Sequence, residues 1–161
     1  MAQTKYEVYF SPDGGCTEVI ARNIRQARLS ILVQAYNFTS TPIASALRDA
    51  HRRGVKVEVL LDRSQRTDKY SVADFLVNSG VPTRIDAEHA IAHNKVIVID
   101  GGIVITGSFN FTSAAEERNA ENVLIVHDRV LADKYADNWR EHARHSEKYA
   151  GKSKIERGRK L

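Results

Sequence analysis

The chain has 161 residues, with 24 Lys and Arg against 20 Asp and Glu, for a formal net charge of +4. That length suits one domain with a proper buried core. A hydrophobic share of 42% and a charged share of 27% exclude a disordered or fibrous chain. No apolar run approaches the thickness of a bilayer. Cys16 is the only cysteine, which excludes an internal disulfide and a thiolate-built zinc centre. The small basic excess suits a polyanionic partner without identifying one.

Met1 to Lys5 is not followed by the apolar core of a signal peptide. Tyr6 to Phe10 alternates as a short strand, and Ser11-Pro12-Asp13-Gly14-Gly15 closes it as a turn. Thr17 to Arg28 carries Val19, Ile20, Ile24 and Ala27 at helical spacing. Ile31 to Tyr36 reads as a buried strand. Thr41 then caps a helix with Pro42 at its first position, and Gly54 ends it. Val55 to Leu61 is a strand ending in Asp62, followed by a polar loop and a helix from about Asp68 to Asn78.

The second half changes rhythm. Val96 to Ile99 and Ile103 to Thr106 flank Asp100-Gly101-Gly102, a strong hairpin signal. Asn122 to His127 supplies another strand, and Val130 to about His145 an amphipathic helix anchored by Leu131, Tyr135 and Trp139. Alternating strands and helices followed by a hairpin predict a three-layer α/β/α sandwich with a mixed central β-sheet. Residues 1–147 form the predicted domain. Residues 148–161 (Lys148, Lys152, Lys154, Arg157, Arg159, Lys160) form a basic tail expected to be flexible.

The chemistry concentrates in His93-Asn94-Lys95 and in Gly107-Ser108-Phe109-Asn110. Residues two apart on a strand share a face. An imidazole, a fixed cation and two neutral hydrogen-bonding groups are therefore expected to converge, a set suited to a phosphate. Alone, His93 reads as a half-buried histidine and Lys95 as a residue snorkelling from a strand edge. Asp100 lies an odd number of residues from Lys95, at the turn, and is predicted to be structural.

The run H-x-K-x4-D (His93, Lys95, Asp100) followed by Gly-Ser-x-Asn resembles the signature of the phospholipase D superfamily. The likeness is closest to its small, single-motif bacterial endonuclease branch, the Nuc-like proteins. It extends through Ala35-Tyr36-Asn37-Phe38-Thr39, Arg53-Gly54-Val55 and Asn78-Ser79-Gly80, covering most of residues 6 to 145. The resemblance implies a phospholipase D-like fold and metal-independent hydrolysis of a phosphodiester through a phosphohistidine at His93. Lys95 and Asn110 would hold the phosphate oxygens, and Glu121 would orient the His93 ring unless it is an exposed strand-end glutamate. Read from the residues, Ser108 either assists as a hydrogen-bond donor or completes a tight turn after Gly107. No cofactor is implied.

His89 and His93 are four apart with Glu88 nearby, the spacing of a helical metal pair, but Ile91 to Ile99 reads as extended and no third ligand is evident. No metal site is therefore expected. His51, His127, His142 and His145 read as surface or helix-face residues. Tyr36, Asn37 and Phe38 either line the cleft, with Phe38 stacking on a base, or pack in the core. One histidine motif cannot supply both a nucleophile and a leaving-group acid, so a homodimer is expected. The expected partner is DNA, with RNA as a further substrate and no stable membrane association. Two alternatives remain: a lipid phosphodiesterase acting on phosphatidyl or cardiolipin substrates, and a non-catalytic nucleic-acid-binding module. The compartment is periplasmic or extracellular if a leader has been removed, and otherwise cytoplasmic.

Overall fold

The computed structural model describes residues 4–152. Among these residues, eight strands form one mixed sheet in the order β1-β7-β6-β5-β2-β3-β4-β8. They are β1 (Lys5–Ser11), β2 (Ser30–Ala35), β3 (Lys56–Asp62), β4 (Thr83–Asp86), β5 (Lys95–Ile99), β6 (Ile103–Gly107), β7 (Glu121–His127) and β8 (Glu147–Lys148). Strands β2, β3 and β4 run parallel, whereas β5, β6, β7 and β1 are antiparallel to their neighbours. The helices are α1 (Cys16–Gln26), α2 (Thr41–Arg52), α3 (Ala73–Asn78), α4 (Ser113–Glu117) and α5 (Arg129–His145).

Strand parity sorts the core into two layers. Ile97 and Ile99 of β5, with Ile31 and Val33 of β2, join a large cluster that includes Ile20 and Ile24 of α1 and Ile43 and Leu47 of α2. Val96 and Val98 point the other way and pack with Val104, Leu32, and Ala132, Leu131 and Tyr135 of α5. Residues alternating along a strand thus cover both faces, and the α/β/α sandwich follows.

Several boundaries differ from expectation for local reasons. Ser40, not Thr41, caps α2, its hydroxyl accepting from the Ile43 N–H at 3.5 Å with Pro42 following in the first turn. The helix expected from Asp68 starts only at Ala73. The Asp68 carboxylate accepts from the Tyr70 N–H at 2.7 Å and the Ser71 hydroxyl from the Ala73 N–H at 3.2 Å, so the chain forms local turns instead. A short 3-10 turn at Arg63–Arg66 precedes it.

The tail departs from expectation as well. Lys148 belongs to β8, which pairs with β4. Tyr149 is buried and its hydroxyl donates to Asp74 at 2.7 Å, while the Lys152 ammonium donates to the Asp68 carbonyl at 3.1 Å. Residues 148–152 are therefore part of the folded unit. Lys154, Arg157, Arg159 and Lys160 lie outside the described residues.

The β5–β6 turn holds the reason for an aspartate and two glycines. Asp100 and Gly101 both take positive φ, 52° and 60°, and the Gly102 N–H returns to the Ile99 carbonyl at 3.0 Å. That is a type I′ turn, which favours Asp-Gly.

Candidate active site

The motif residues gather at one end of the sheet, where β2, β3 and β4 terminate and β5 begins. Lys95, the first residue of β5, pairs with Ala35, the last of β2. One step beyond the last β5–β6 pair, Val96 with Thr106, stand Lys95 and Gly107. Open α/β sheets place ligands at this carboxyl end of the parallel strands.

His93 does not open β5 as expected. It lies two residues before the strand, in the segment after β4, and is exposed. Strand parity therefore does not set its direction. Two contacts do. Its ring stacks at a tilt on Tyr36, with centroids 4.6 Å apart. Lys95 Nζ reaches back to donate to the His93 carbonyl at 2.7 Å and lies 3.1 Å from His93 Nδ1.

Lys95 is nearly buried and its Nζ sits 5.5 Å from the Tyr36 ring centre. Burial lowers its pKa below the ordinary lysine value, and the negative charge of Glu121 opposes that shift. An ammonium can only donate. In a neutral ring this contact calls for Nδ1 as the acceptor, which places the ring proton on Nε2.

Glu121 was expected behind the His93 ring. Instead its Oε1 accepts from Asn119 Nδ2 at 3.2 Å, and it bears on the site through its charge on Lys95. The position at Nδ1 that a carboxylate would need is taken by Lys95, the better-placed partner in a single subunit.

The Gly107-Ser108-Phe109-Asn110 segment follows β6 rather than lying on it. A Cβ on Gly107 would stand 2.2 Å from the Asn122 carbonyl oxygen, so only glycine lets the chain pass β7 here. Ser108 Oγ accepts from the Asn122 N–H at 3.0 Å and from its Nδ2 at 3.3 Å, leaving its own proton free to donate. Phe109 is buried in the core. Among the described residues, Asn110 has a buried Oδ1 with no hydrogen-bond partner, and so does Asn37. The bridge between Phe38 and Phe111 sets these two asparagines at corresponding positions of adjacent chain segments. Unpaired buried amide oxygens are costly and gather where function keeps polar groups in reserve.

Phe38 is fully buried and packs edge-on against Phe111 at 5.4 Å, so the base-stacking alternative gives way to core packing. Asp100 points away from the phosphate-binding groups. Its carboxylate accepts from the backbone N–H groups of Arg28, Leu29 and Ser30 at 2.7 to 3.2 Å. It fixes the entry to β2.

His142 and His145 are more than surface or helix-face residues, and His89 joins them rather than His93. His89, His142 and His145 surround the buried carboxylate of Asp86. Their helical and loop positions, remote in sequence, hid this cluster from any spacing rule.

A family model described as cardiolipin synthase, PLD-like domain, matches residues 20–143. This chain belongs to the phospholipase D superfamily. A Rickettsia felis protein named phospholipase D is 49% identical over 139 residues, 86% of this chain and 70% of its own length. A Xenopus tropicalis protein named mitochondrial cardiolipin hydrolase is 36% identical over 110 residues, covering 68% of this chain and 52% of the relative. The crystal structure of the phospholipase D family member Nuc from Salmonella typhimurium superposes with a TM-score of 0.87 at 35% identity. That match covers 91% of this chain and 99% of Nuc. The fold is that of the superfamily, and the chain is a phospholipase D-superfamily phosphodiesterase.

Proposed function

We propose that this phosphodiesterase is a sequence-nonspecific endonuclease that hydrolyses DNA, and RNA as well, through a phosphohistidine at His93. The observation that carries this reading is the full-length fit to Nuc, 99% of whose chain is matched. The match runs over nearly the whole of both chains, and the single motif of this chain resembles that of the small bacterial endonuclease branch. Exposed cations border the site end of the sheet: Arg63 directly follows β3, Lys69 lies beyond it, and Arg118 precedes β7. Such residues grip a phosphate backbone without reading bases.

His93 Nε2 attacks phosphorus, the P–N bond forms, and the P–O bond to one nucleotide breaks. A second imidazole protonates the leaving oxygen and then takes a proton from water, which attacks phosphorus and releases His93. Lys95 and the Asn110 amide neutralise charge on the non-bridging oxygens. The 3.1 Å contact of Lys95 with Nδ1 suits a neutral ring protonated on Nε2, the form the acid takes. In the nucleophilic copy Lys95 leaves Nδ1 for the phosphate, and Nδ1–H takes a carboxylate acceptor, with Glu121 the candidate, so that the Nε2 lone pair is free. One chain carries one such histidine, so two copies of the chain, in the two tautomers, complete the site across a twofold axis. Ser108 donates its remaining proton to the phosphate. The chemistry requires no metal at the phosphate.

A second reading is favoured by a specific feature. Ile91, two residues before His93, is 53% exposed, and relatives are named phospholipase D and mitochondrial cardiolipin hydrolase. An apolar residue beside the cleft suits a lipid. The deciding experiment offers plasmid DNA, single-stranded DNA and cardiolipin-containing vesicles to wild type and His93→Ala in EDTA. DNA cleavage by wild type alone supports the nuclease. Hydrolysis of vesicles with DNA left intact replaces it with the lipid enzyme. Saturable DNA binding with neither reaction leaves a binding module.

A further inference from the structure

We propose that Asp86, His89, His142 and His145 form a binding site for a divalent transition metal of the zinc class, separate from His93. Each residue offers one ligand atom, and all four atoms lie within 4.8 Å of one another. Asp86 Oδ2 is 2.7 Å from His142 Nδ1, 3.2 Å from His145 Nε2 and 3.9 Å from His89 Nε2. These separations bracket about 3.3 Å, the ligand-to-ligand edge of a tetrahedron with bonds of about 2.0–2.1 Å. Three imidazoles and one carboxylate are the ligand chemistry of zinc and its neighbours, whereas magnesium and calcium require oxygen shells.

The surroundings are built for it. His142 and His145 sit three apart on one face of α5. The end of that helix is held by Arg84, which donates to the Ser146 hydroxyl at 2.7 Å and to its carbonyl at 2.8 Å. Asp86 has no exposure, and its other oxygen accepts from the Glu88 N–H at 3.1 Å, turning Oδ2 toward the rings. The three rings stand 5.0 to 5.4 Å apart, edge to face, in a near-equilateral triangle. Hydrogen bonding alone would explain Asp86 with His142 and His145. It does not explain His89, which stands beyond hydrogen-bond reach yet completes the fourth corner.

Four protein ligands leave no open position, so the site is structural rather than catalytic. Its effect follows from where His89 lies. The segment between β4 and β5 carries His89 and, four residues on, His93. That segment is already tied to β3 where Asp62 accepts the Ala92 N–H at 2.7 Å. A metal adds a second tie, fastening the segment to α5. Its removal is expected to loosen and destabilise the protein rather than abolish the chemistry at His93.

The test strips the full-length protein with a chelator, dialyses it, and titrates in zinc by calorimetry and cobalt by visible absorption. One equivalent of zinc, the intense absorption of tetrahedral cobalt and a raised melting temperature are expected. His89→Gln and His145→Gln should each weaken zinc binding about 100-fold or more, while His51→Gln and His93→Ala should not alter it. His89 is half-exposed on a loop, so its variant remains informative if a helix variant fails to fold. Absence of saturable binding, weak octahedral cobalt absorption, or unchanged binding in both ligand variants would each overturn the proposal. Loss of DNA cleavage has no bearing on it, because every readout is of binding or melting.

Discussion

The Lys95 ammonium lies 3.1 Å from His93 Nδ1 while donating to the carbonyl of the same residue at 2.7 Å. One cation therefore contacts both the backbone and the ring of the histidine two positions before it. It also links protonation of the lysine to the state of the ring.

The first consequence concerns pH. Burial lowers the Lys95 pKa, with Glu121 opposing, and the residue acts only as a cation. A lowered pKa means that charge is lost at lower pH than for an ordinary lysine, whose pKa is about 10.4. The alkaline limb of kcat/KM should therefore begin below that value. Lys95→Arg, permanently charged, should move the limb to higher pH in whatever activity remains, and Lys95→Met should lose about 10²–10³-fold in kcat. A limb that stays put in the arginine variant would assign it to another group.

Asp100 belongs to the motif in sequence and to the scaffold in space. Asp100→Ala removes the acceptor for three N–H groups, at Arg28, Leu29 and Ser30. Urea unfolding should register a loss of about 1–3 kcal/mol. Activity per folded molecule should hold. A variant of normal stability and no activity would place Asp100 in the chemistry instead.

Phe38→Ala separates packing from base stacking. A buried phenylalanine replaced by alanine should lower stability by about 3–5 kcal/mol. Affinity for single-stranded DNA, measured below the new melting temperature, should not change. A stable variant with weakened binding would return Phe38 to the cleft.

Backbone gripping predicts a salt signature. Arg63→Gln and Arg118→Gln should each weaken binding evenly across sequences and flatten the plot of log affinity against log salt by about one unit. A sequence-dependent loss would point to base reading.

Cys16 is sealed in the core, and burial, aided by the charge of Glu116, pushes its thiol up to about 11. It should resist thiol reagents at pH 8 until the protein unfolds. The raised pKa means the folded chain keeps a proton that the unfolded chain releases. The corresponding stability is complete below about pH 9 and is lost as pH rises toward about 11. Cys16→Ala should flatten that decline in alkaline urea melts.

The sandwich was legible because strand parity and helical spacing are short-range signals, clear in Val96 to Ile99 and in Thr17 to Arg28. The hairpin was legible because Asp-Gly chemistry leaves few alternatives. Strand β4, Thr83–Asp86, escaped notice: four residues with Arg84 and Asp86 among them carry little alternation, and parallel pairing to β3 is a long-range fact. Helix α4 and strand β8 are too short to leave a period. At the site, His93 and Lys95 were found by type and spacing, yet their contact is a side chain reaching back along the chain, not a shared strand face. The role of Glu121 rests on resemblance alone, and its hydrogen-bond partner in the structure, Asn119, is two residues away. The imidazole cluster around Asp86 was invisible because tertiary folding joins residues 86 and 89 to 142 and 145.

The central claim is that His93 attacks phosphorus without a metal at the phosphate. The most direct measurement mixes the enzyme with DNA in chelator, quenches in alkali at short times, and maps any protein–DNA adduct by mass spectrometry. A phosphoramidate on His93, present during turnover and absent from His93→Ala, is the expected result. Cleavage without an adduct, or cleavage that begins only when a divalent ion is added, would contradict it.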